Sequence, residues 1–462
     1  MRPERRLSGG AHLRSERLAV MGWLSTVLHE RFSDALLLDP VQPGWVSLSI
    51  PGSPVRIQIQ SMFETFDQAS SELPCARWPA LRENWRPALG PEIPAPGVRE
   101  LPAPLIEQTP QGYIIHYDIL GLAYWTMSRK EEVGRTDLDA HMRFPASASH
   151  ACRHGYLERP VVDEWFHILA QVMRRAWPTL PLAIHRFQTL VSHDVDGPSW
   201  YTFSSLPQLM RTMGGDLIMR RQPLRALKAP VIWAQARGRL HACDPANTFG
   251  WLMGTSEKHG LASAFYFICG RTDPGRDAQY EPEHPAIRAL MREIHSRGHE
   301  IGLHPSYNTF QQPSAIAAEA QRLARICEEE AIERPFWGGR MHFLRWETPT
   351  TLYGWEQAGA AYDSSMGYAD RPGFRCGTCF EYPAFDPARY TPVSIRIRPL
   401  IAMEVTVMGR NYLGLGTGEA AYTKLMQLKS ACRAVNGNFT LLWHNSELEK
   451  PECRALYASI LE

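Results

Sequence analysis

From residue 186 onward, short apolar runs alternate with longer stretches in which apolar residues recur every three or four positions. The runs Thr189–His193, Ala262–Ile268, Glu300–His304, Ala361–Ser364, Ile401–Val405 and Phe439–Trp443 are too short for buried helices and predict strands. The stretches Thr248–Glu257, Pro285–Arg297, Ser314–Glu330, Thr348–Ala358 and Glu419–Ala434 predict helices. Such alternation is the rhythm of an α/β fold with a parallel sheet or barrel, whose chemistry sits at the strand ends.

The first 185 residues have a different pattern. Trp45–Ile50, Val55–Ile59 and Gly112–Tyr117 predict strands, and Ile119–Met127 is apolar enough for a helix or a strand. Between them, the proline-rich crossing from Pro87 to Pro104 predicts an ordered extended connection. Val162, Trp165, Phe166, Leu169 and Val172 share one face of a helix over Val161–Arg175 and predict core. The expected organisation is a smaller α+β domain over residues 1–185, followed by an α/β domain over residues 186–462.

Leu18–Leu28 follows a basic run, Arg2, Arg5, Arg6, Arg14 and Arg17, and superficially resembles an export signal. His29-Glu30-Arg31 comes next without a small-residue cleavage pattern, so an amphipathic helix packed into a domain is expected instead. Met21 offers an alternative start. No run approaches the roughly 18 apolar residues of a membrane span, so stable membrane insertion is not expected.

Composition narrows the field. A chain of 462 residues that is 44% hydrophobic supports substantial cores and is not disordered. Its 49 basic and 48 acidic side chains nearly cancel, which gives no electrostatic case for nucleic acid as a partner. The nine cysteines are odd in number and scattered, which fits a reducing, cytoplasmic location. Cys376-Gly377-Thr378-Cys379 is the single Cys-x-x-Cys pair, and without a second pair it is expected to be structural.

The chemistry concentrates in two motifs. The apolar Leu190-Val191 leads into Ser192-His193-Asp194-Val195-Asp196-Gly197-Pro198, which delivers two carboxylates to a strand end. On a continuing strand Asp194 and Asp196 share a face, so one can bind a cation while the other accepts a proton. Spacing alone is weak, because Asp137-Leu138-Asp139 has it with no other catalytic signal. About a hundred residues later, Gly298-His299-Glu300-Ile301-Gly302-Leu303-His304-Pro305 ends a second strand in a histidine, a favoured zinc ligand.

Together with three later motifs, residues 186–462 resemble the polysaccharide deacetylase family of metal-dependent sugar N-deacetylases, the NodB-type homology. The later motifs are Gly338-Gly339-Arg340-Met341-His342-Phe343, Tyr362-Asp363-Ser364-Ser365 and Leu441-Leu442-Trp443-His444-Asn445. Gly373-Phe374-Arg375-Cys376-Gly377 and Glu381-Tyr382-Pro383 resemble segments of one branch of that family. Tyr124–Glu132 and Arg159–Glu164 resemble an N-terminal domain fused to bacterial deacetylase-like proteins.

The resemblance implies a distorted or incomplete (β/α) barrel with a groove open to a sugar chain. It makes Asp194 the general base, His444 the general acid and Arg340 the residue that orients the base, with Arg345 close by. It makes Asp196 and His304 metal ligands and puts the third ligand on Asn308, where the family has histidine. An amide oxygen is the weaker zinc ligand, and His342 is the nearest alternative donor. Tyr307, Asp363, Arg375 and Trp443 are the expected substrate contacts, with Trp200 and Tyr201 as further stacking candidates.

The expected activity is therefore hydrolysis of the acetamide of an N-acetylated sugar or saccharide precursor, assisted by a divalent metal, in the first place zinc. The absence of an export signal favours an intracellular precursor, nucleotide- or lipid-linked, over mature wall polymer. Two alternatives stand beside this: an amidase acting on a non-sugar C–N bond, and a non-catalytic carbohydrate-binding or scaffold protein, for which Asn308 is the main support.

Overall fold

A computed structural model describes residues 7–235 and 238–462. Arg2, Arg5 and Arg6 of the basic run lie outside the described residues, as does the side chain of Arg14. The chain divides into two compact units. One holds Met1–Gln188, Met366–Ile401 and Gln427–Phe439, and the other holds Thr189–Ser365, Ala402–Met426 and Thr440–Glu462. The expected single cut between residues 185 and 186 thus meets only the first crossing, because two later segments group with the N-terminal residues.

In the first unit, a five-stranded sheet takes the order Leu37–Gln42, Trp45–Ser49, Arg56–Gln60, Gly112–Ile115, Ile106–Thr109. Helix Val161–Ala176 buries Val162, Trp165, Phe166, Leu169 and Val172, the stripe read from the sequence. Trp165 stacks on Trp78 at 5.3 Å and donates its indole N–H to the Pro94 carbonyl at 2.8 Å. Ile119–Met127 resolves as a helix, with Asp118 as N-cap accepting from the Gly121 amide. Within the proline-rich crossing, Ile93–Pro96 forms a strand antiparallel to Cys75–Trp78. Helix Leu7–Arg31 takes in the stretch that resembled an export signal. Later segments of this unit add the antiparallel hairpin of Tyr382–Asp386 and Thr391–Ile397.

The second unit is organised by seven strands, numbered here in chain order: β1 Gln188–Val195, β2 Ser263–Phe267, β3 Glu300–Leu303, β4 Gly338–Gly339, β5 Tyr362–Asp363, β6 Ala402–Met403 and β7 Asn438–Leu442. Their order is β5-β4-β3-β2-β1-β7-β6. The pairs β1–β2, β2–β3, β3–β4, β4–β5 and β6–β7 are parallel. All five residues of β2 are buried, as an apolar strand covered on both faces requires. Helices Phe249–Lys258, Pro285–Ser296, Pro313–Glu329 and Thr350–Ala358 fall where the periodicity predicts them.

The architecture is mixed α/β, and among the described strands no pairing of β5 with β6 closes the sheet into a barrel. One predicted strand is shortened. Ile401–Val405 is extended only at Ala402–Met403, and Glu404 starts a helical turn, Glu404–Met408. The Glu404 carboxylate accepts the His444 amide at 2.8 Å, which holds the chain at that point in the turn. Strand β4 escaped the hydrophobic pattern because it is two glycines, and close packing explains them. A Cβ on Gly339 would lie 2.0 Å from the Leu303 carbonyl oxygen and 2.7 Å from the Trp355 ring.

Gly339→Ala therefore forces β3 and β4 apart just before Arg340. It should destabilise the protein by about 1–3 kcal/mol, read as a lower denaturation midpoint at unchanged far-UV ellipticity. A wild-type midpoint would show that the β3–β4 approach is not tight.

Candidate active site

The parallel strands place their chemistry at one end of the sheet, the carboxyl ends, where open α/β folds bind ligands. Asp194 and Asp196 come from the end of β1, His304 from β3, Arg340 and His342 from β4, Ser364 and Ser365 from β5, Glu404 from β6 and His444 from β7. The loop after β2 adds Asp277.

Within β1 the two-residue alternation separates two sets of side chains. Ser192 and Asp194 meet Arg340, whereas His193 packs on the Phe265 ring at 4.8 Å and bonds the Trp443 carbonyl at 2.7 Å. Burial pushes the His193 pKa down to about 3, so it is a neutral structural histidine.

Arg340 is fully buried and engages all three of its guanidinium nitrogens. It donates from Nη1 to Asp194 at 2.8 Å, from Nη2 to the Ser192 and Ser364 hydroxyls at 2.8 and 3.1 Å, and from Nε to the Ser364 carbonyl at 3.0 Å. This is the contact expected of a residue that orients the base.

Around Asp196 three imidazoles converge. Its Oδ1 lies 3.2 Å from His304 Nε2 and 3.7 Å from His342 Nε2, and its Oδ2 lies 3.6 Å from His444 Nε2. Desolvation of the Asp196 carboxyl opposes ionisation, but the neighbouring imidazoles outweigh it and hold the pKa far below the usual carboxylate range. Each imidazole is fixed through its other nitrogen. His304 Nδ1 lies 2.5 Å from the Arg340 carbonyl, His342 Nδ1 lies 3.0 Å from Asp277, and His444 Nδ1 lies 2.6 Å from Glu404. Burial opposes charge on His444, yet Glu404 prevails and raises its pKa to about 10.

Asp196, His304 and His342 can each aim one donor atom at a common point, all within 4.8 Å of one another. Donors on a tetrahedron around zinc stand about 3.4 Å apart, and the 3.2 and 3.7 Å separations bracket that value. Asp196 Oδ1 is buried and faces the Nε2 atoms of His304 and His342. Backbone carbonyl and carboxylate partners behind the two histidines are the supports that orient metal-binding imidazoles. The residues fit a divalent metal.

Asn308 was the third ligand expected from motif spacing, and the cluster offers His342 as a third donor. The Asn308 amide donates to the Thr272 carbonyl at 3.1 Å and accepts from Arg345 at 3.0 Å, so both of its ends are engaged. His342 reaches the site because the chain turns immediately after it through two left-handed residues, Phe343 (φ 60°) and Leu344 (φ 55°). Such backbone costs roughly 1–2 kcal/mol per non-glycine residue and concentrates at functional sites.

The expected substrate contacts fare unevenly. Trp443 is fully buried, so its indole lines no groove. Tyr201 is equally buried and donates to Asp216. Arg375 belongs to the other unit, where it pairs with Glu132 at 2.7 Å in a buried charge cluster completed by Arg129. Tyr307 is largely buried beside Arg345, whose guanidinium stands 4.0 Å from its ring. Asp363 accepts from Trp346 at 2.9 Å and from the Ser365 amide at 2.8 Å, and burial raises its pKa to about 6. It braces the β5 end. Only Trp200, half-buried, lines the cavity of about 460 Å³ that opens beside Asp196. Sequence reasoning missed Asp277 and Glu404. Asp277 sits in a loop without a motif, and Glu404 was read as part of a strand.

Comparison with known proteins adds the following. Residues 52–178 match a family model described as a family of unknown function (DUF7033). No curated protein matches. Among solved structures, a protein from Mycobacterium smegmatis described as a polysaccharide deacetylase is similar at TM-score 0.37 and 17% identity, over 60% of this chain and 83% of that one. One from Pseudomonas aeruginosa PAO1, also described as a polysaccharide deacetylase, gives 0.35 and 15%, over 60% and 84%. The allantoinase Puue gives 0.35 and 13%, over 60% and 83%. The side chains of the site, not these distant likenesses, carry its chemistry.

Zinc content measured after purification without chelator should be near one equivalent and should be lost in Asp196→Ala and His342→Ala. Asn308→Ala should keep it, and loss in Asn308→Ala with retention in His342→Ala would restore the asparagine as ligand.

Proposed function

We propose that this protein is a divalent-metal-dependent hydrolase that removes the acetyl group from an N-acetylated sugar or saccharide precursor. The observation that carries this proposal is the grouping of a complete donor set, Asp196, His304 and His342, with a buried Arg340-held carboxyl and a carboxylate-held histidine. The motif resemblance over residues 186–462 supplies the sugar amide as the substrate and the polysaccharide deacetylase type as the fold. The cytoplasmic assignment belongs to the same proposal and rests on nine free cysteines.

A divalent ion, zinc for preference, held by Asp196, His304 and His342 would polarise the amide carbonyl and acidify a water. The remaining work falls to the chain. Asp194, with one oxygen fixed by Arg340, keeps Oδ2 3.7 Å from His304 Nε2 and so faces the cluster as general base. His444 stands on the Oδ2 side of Asp196, with Glu404 favouring its protonated form. It can deliver a proton to the departing amine, which leaves poorly as an anion. Base and acid therefore have separate partners, the Arg340 guanidinium for Asp194 and the Glu404 carboxylate for His444. The cavity beside Asp196 carries Trp200 and Phe203, aromatic surfaces suited to a sugar face.

The scaffold alternative drew its support from Asn308, and His342 supplies an imidazole that meets the same need.

Acetate release from a panel of N-acetylhexosamines and their nucleotide- and lipid-linked forms should be metal-dependent. Asp194→Asn and His444→Ala should each lower kcat by about 10²–10⁴-fold with metal content kept. No acetate from any member with metal-replete enzyme would reject the sugar deacetylase assignment.

A further inference from the structure

We propose that the helical hairpin of Leu206–Ile218 and Pro223–Gln235 docks on an anionic lipid surface, and that the site draws its saccharide from a lipid-linked carrier in that surface. The docking stands on the hairpin alone; the identity of the carried substrate rests on the function proposed above.

The hairpin is soundly built. Ser205 and Gln208 form a capping box, the Tyr201 hydroxyl donates to buried Asp216 at 2.7 Å, and the Trp233 indole donates to the Ser204 carbonyl at 2.9 Å. Leu209 and Asp216 on the first helix, and Ala226, Ala229 and Ile232 on the second, are buried.

Its outer faces nevertheless carry a second apolar stripe. Leu206, Met210 and Leu217 recur at helical spacing and are exposed, as are Leu224, Leu227 and Val231. At the turn, Ile218 and Met219 are 80% and 84% exposed. Scattered surface leucines need no explanation, but these eight exposed large apolar side chains on one hairpin point to an interaction surface.

Charge selects the partner. Residues 206–235 contain Arg211, Arg220, Arg221, Arg225 and Lys228 against one acid, Asp216. That acid is buried and bonded to Arg220 and Tyr201. Arg211, Arg221 and Lys228 are exposed along the patch. Apolar side chains interleaved with cations, on helices too short to span, are the features of interfacial anchors on anionic lipid. Consistently, no helix among the described residues is long and apolar enough to cross a membrane.

The hairpin also adjoins the chemistry. The cavity of about 460 Å³ beside Asp196 has Gln208, Arg211 and Thr212 of the first helix in its wall, with Trp200 and Tyr280. A saccharide carried on an anionic lipid linkage would meet a guanidinium at the hairpin side and the metal-binding carboxylate at the other. A free soluble sugar needs neither the exposed stripe nor its cations.

Sedimentation of the intact protein with vesicles tests this. Binding is expected to phosphatidylglycerol-containing vesicles, weakened by salt, and not to phosphatidylcholine alone. The Ile218→Asp/Leu227→Asp variant should bind at least about tenfold more weakly, while keeping wild-type metal content and its melting midpoint. Lys228→Glu, which leaves the apolar stripe intact, should also weaken binding. Equal binding of variant and wild type, or no binding to anionic vesicles, overturns docking. So does a wild-type dimer in analytical ultracentrifugation that the double variant breaks, since the patch would then be a contact between copies. Docking with equal turnover of lipid-linked and free sugars overturns the substrate half alone, and absence of acetate release leaves the vesicle result standing while removing the function.

Discussion

Arg340 is the residue on which the second unit's active end depends. Its backbone amide bonds the Leu303 carbonyl at 3.1 Å, its carbonyl holds His304, and its guanidinium reaches Asp194, Ser192 and Ser364. One residue thereby ties β1, β3, β4 and β5 together at their carboxyl ends. A guanidinium placed where water cannot reach has to find partners, and burying it with its charge unpaired costs several kcal/mol. The strand ends that provide those partners are also the ones that carry base and metal ligands. Register of the sheet and geometry of the chemistry are thus set by the same hydrogen bonds, and the glycines of β4 permit the approach that brings them into range.

Acceptors behind the imidazoles perform the matching task for them. Rings at strand ends rotate about χ2 unless the distal nitrogen is held, and the site fixes each by a different acceptor: backbone carbonyl, Asp277 and Glu404. The acceptor decides the role. A neutral carbonyl behind His304 leaves Nε2 free for a cation, and Glu404 behind His444 favours the charged form suited to proton donation. Two histidines on the same carboxylate, Asp196, can in this way serve opposite ends of one reaction.

Strand and helix alternation was legible because buried parallel strands are continuous apolar runs and their covering helices are amphipathic. That Asp194, Asp196, His304, Arg340 and His444 meet at one end of the sheet was legible because strand ends present side chains in short local motifs. His342 was visible as an alternative donor, and it lies beside Asp196 and His304 while Asn308 is engaged by Arg345 and Thr272. Asp277 and Glu404 act only through long-range contacts and leave no local signal. Trp443 and Arg375 were misplaced for another reason. An aromatic or a cation near a motif in sequence can face the core or a different unit, and periodicity over so few residues does not tell which. The helices Leu206–Ile218 and Pro223–Gln235 were passed over because apolar residues on two opposed faces blur the amphipathic pattern.

Electrostatic balance at the strand ends explains why these parts occur together. Asp194, Asp196, Asp277 and Glu404 bring four carboxyls into a volume whose fixed cation is Arg340. With all four ionised, a guanidinium offsets one charge and three remain. Protonated His444 offsets another, and a divalent ion held by Asp196, His304 and His342 offsets the last two. Without such an ion the same field pulls protons onto imidazole. Burial works against charge on His304, yet Asp194 and Asp196 raise its pKa above the ordinary histidine value. Protons and a divalent cation therefore compete for one set of nitrogens. The carboxyl excess makes the site attractive to the cation, and the fixed Nδ1 partners keep the freed Nε2 atoms aimed at it.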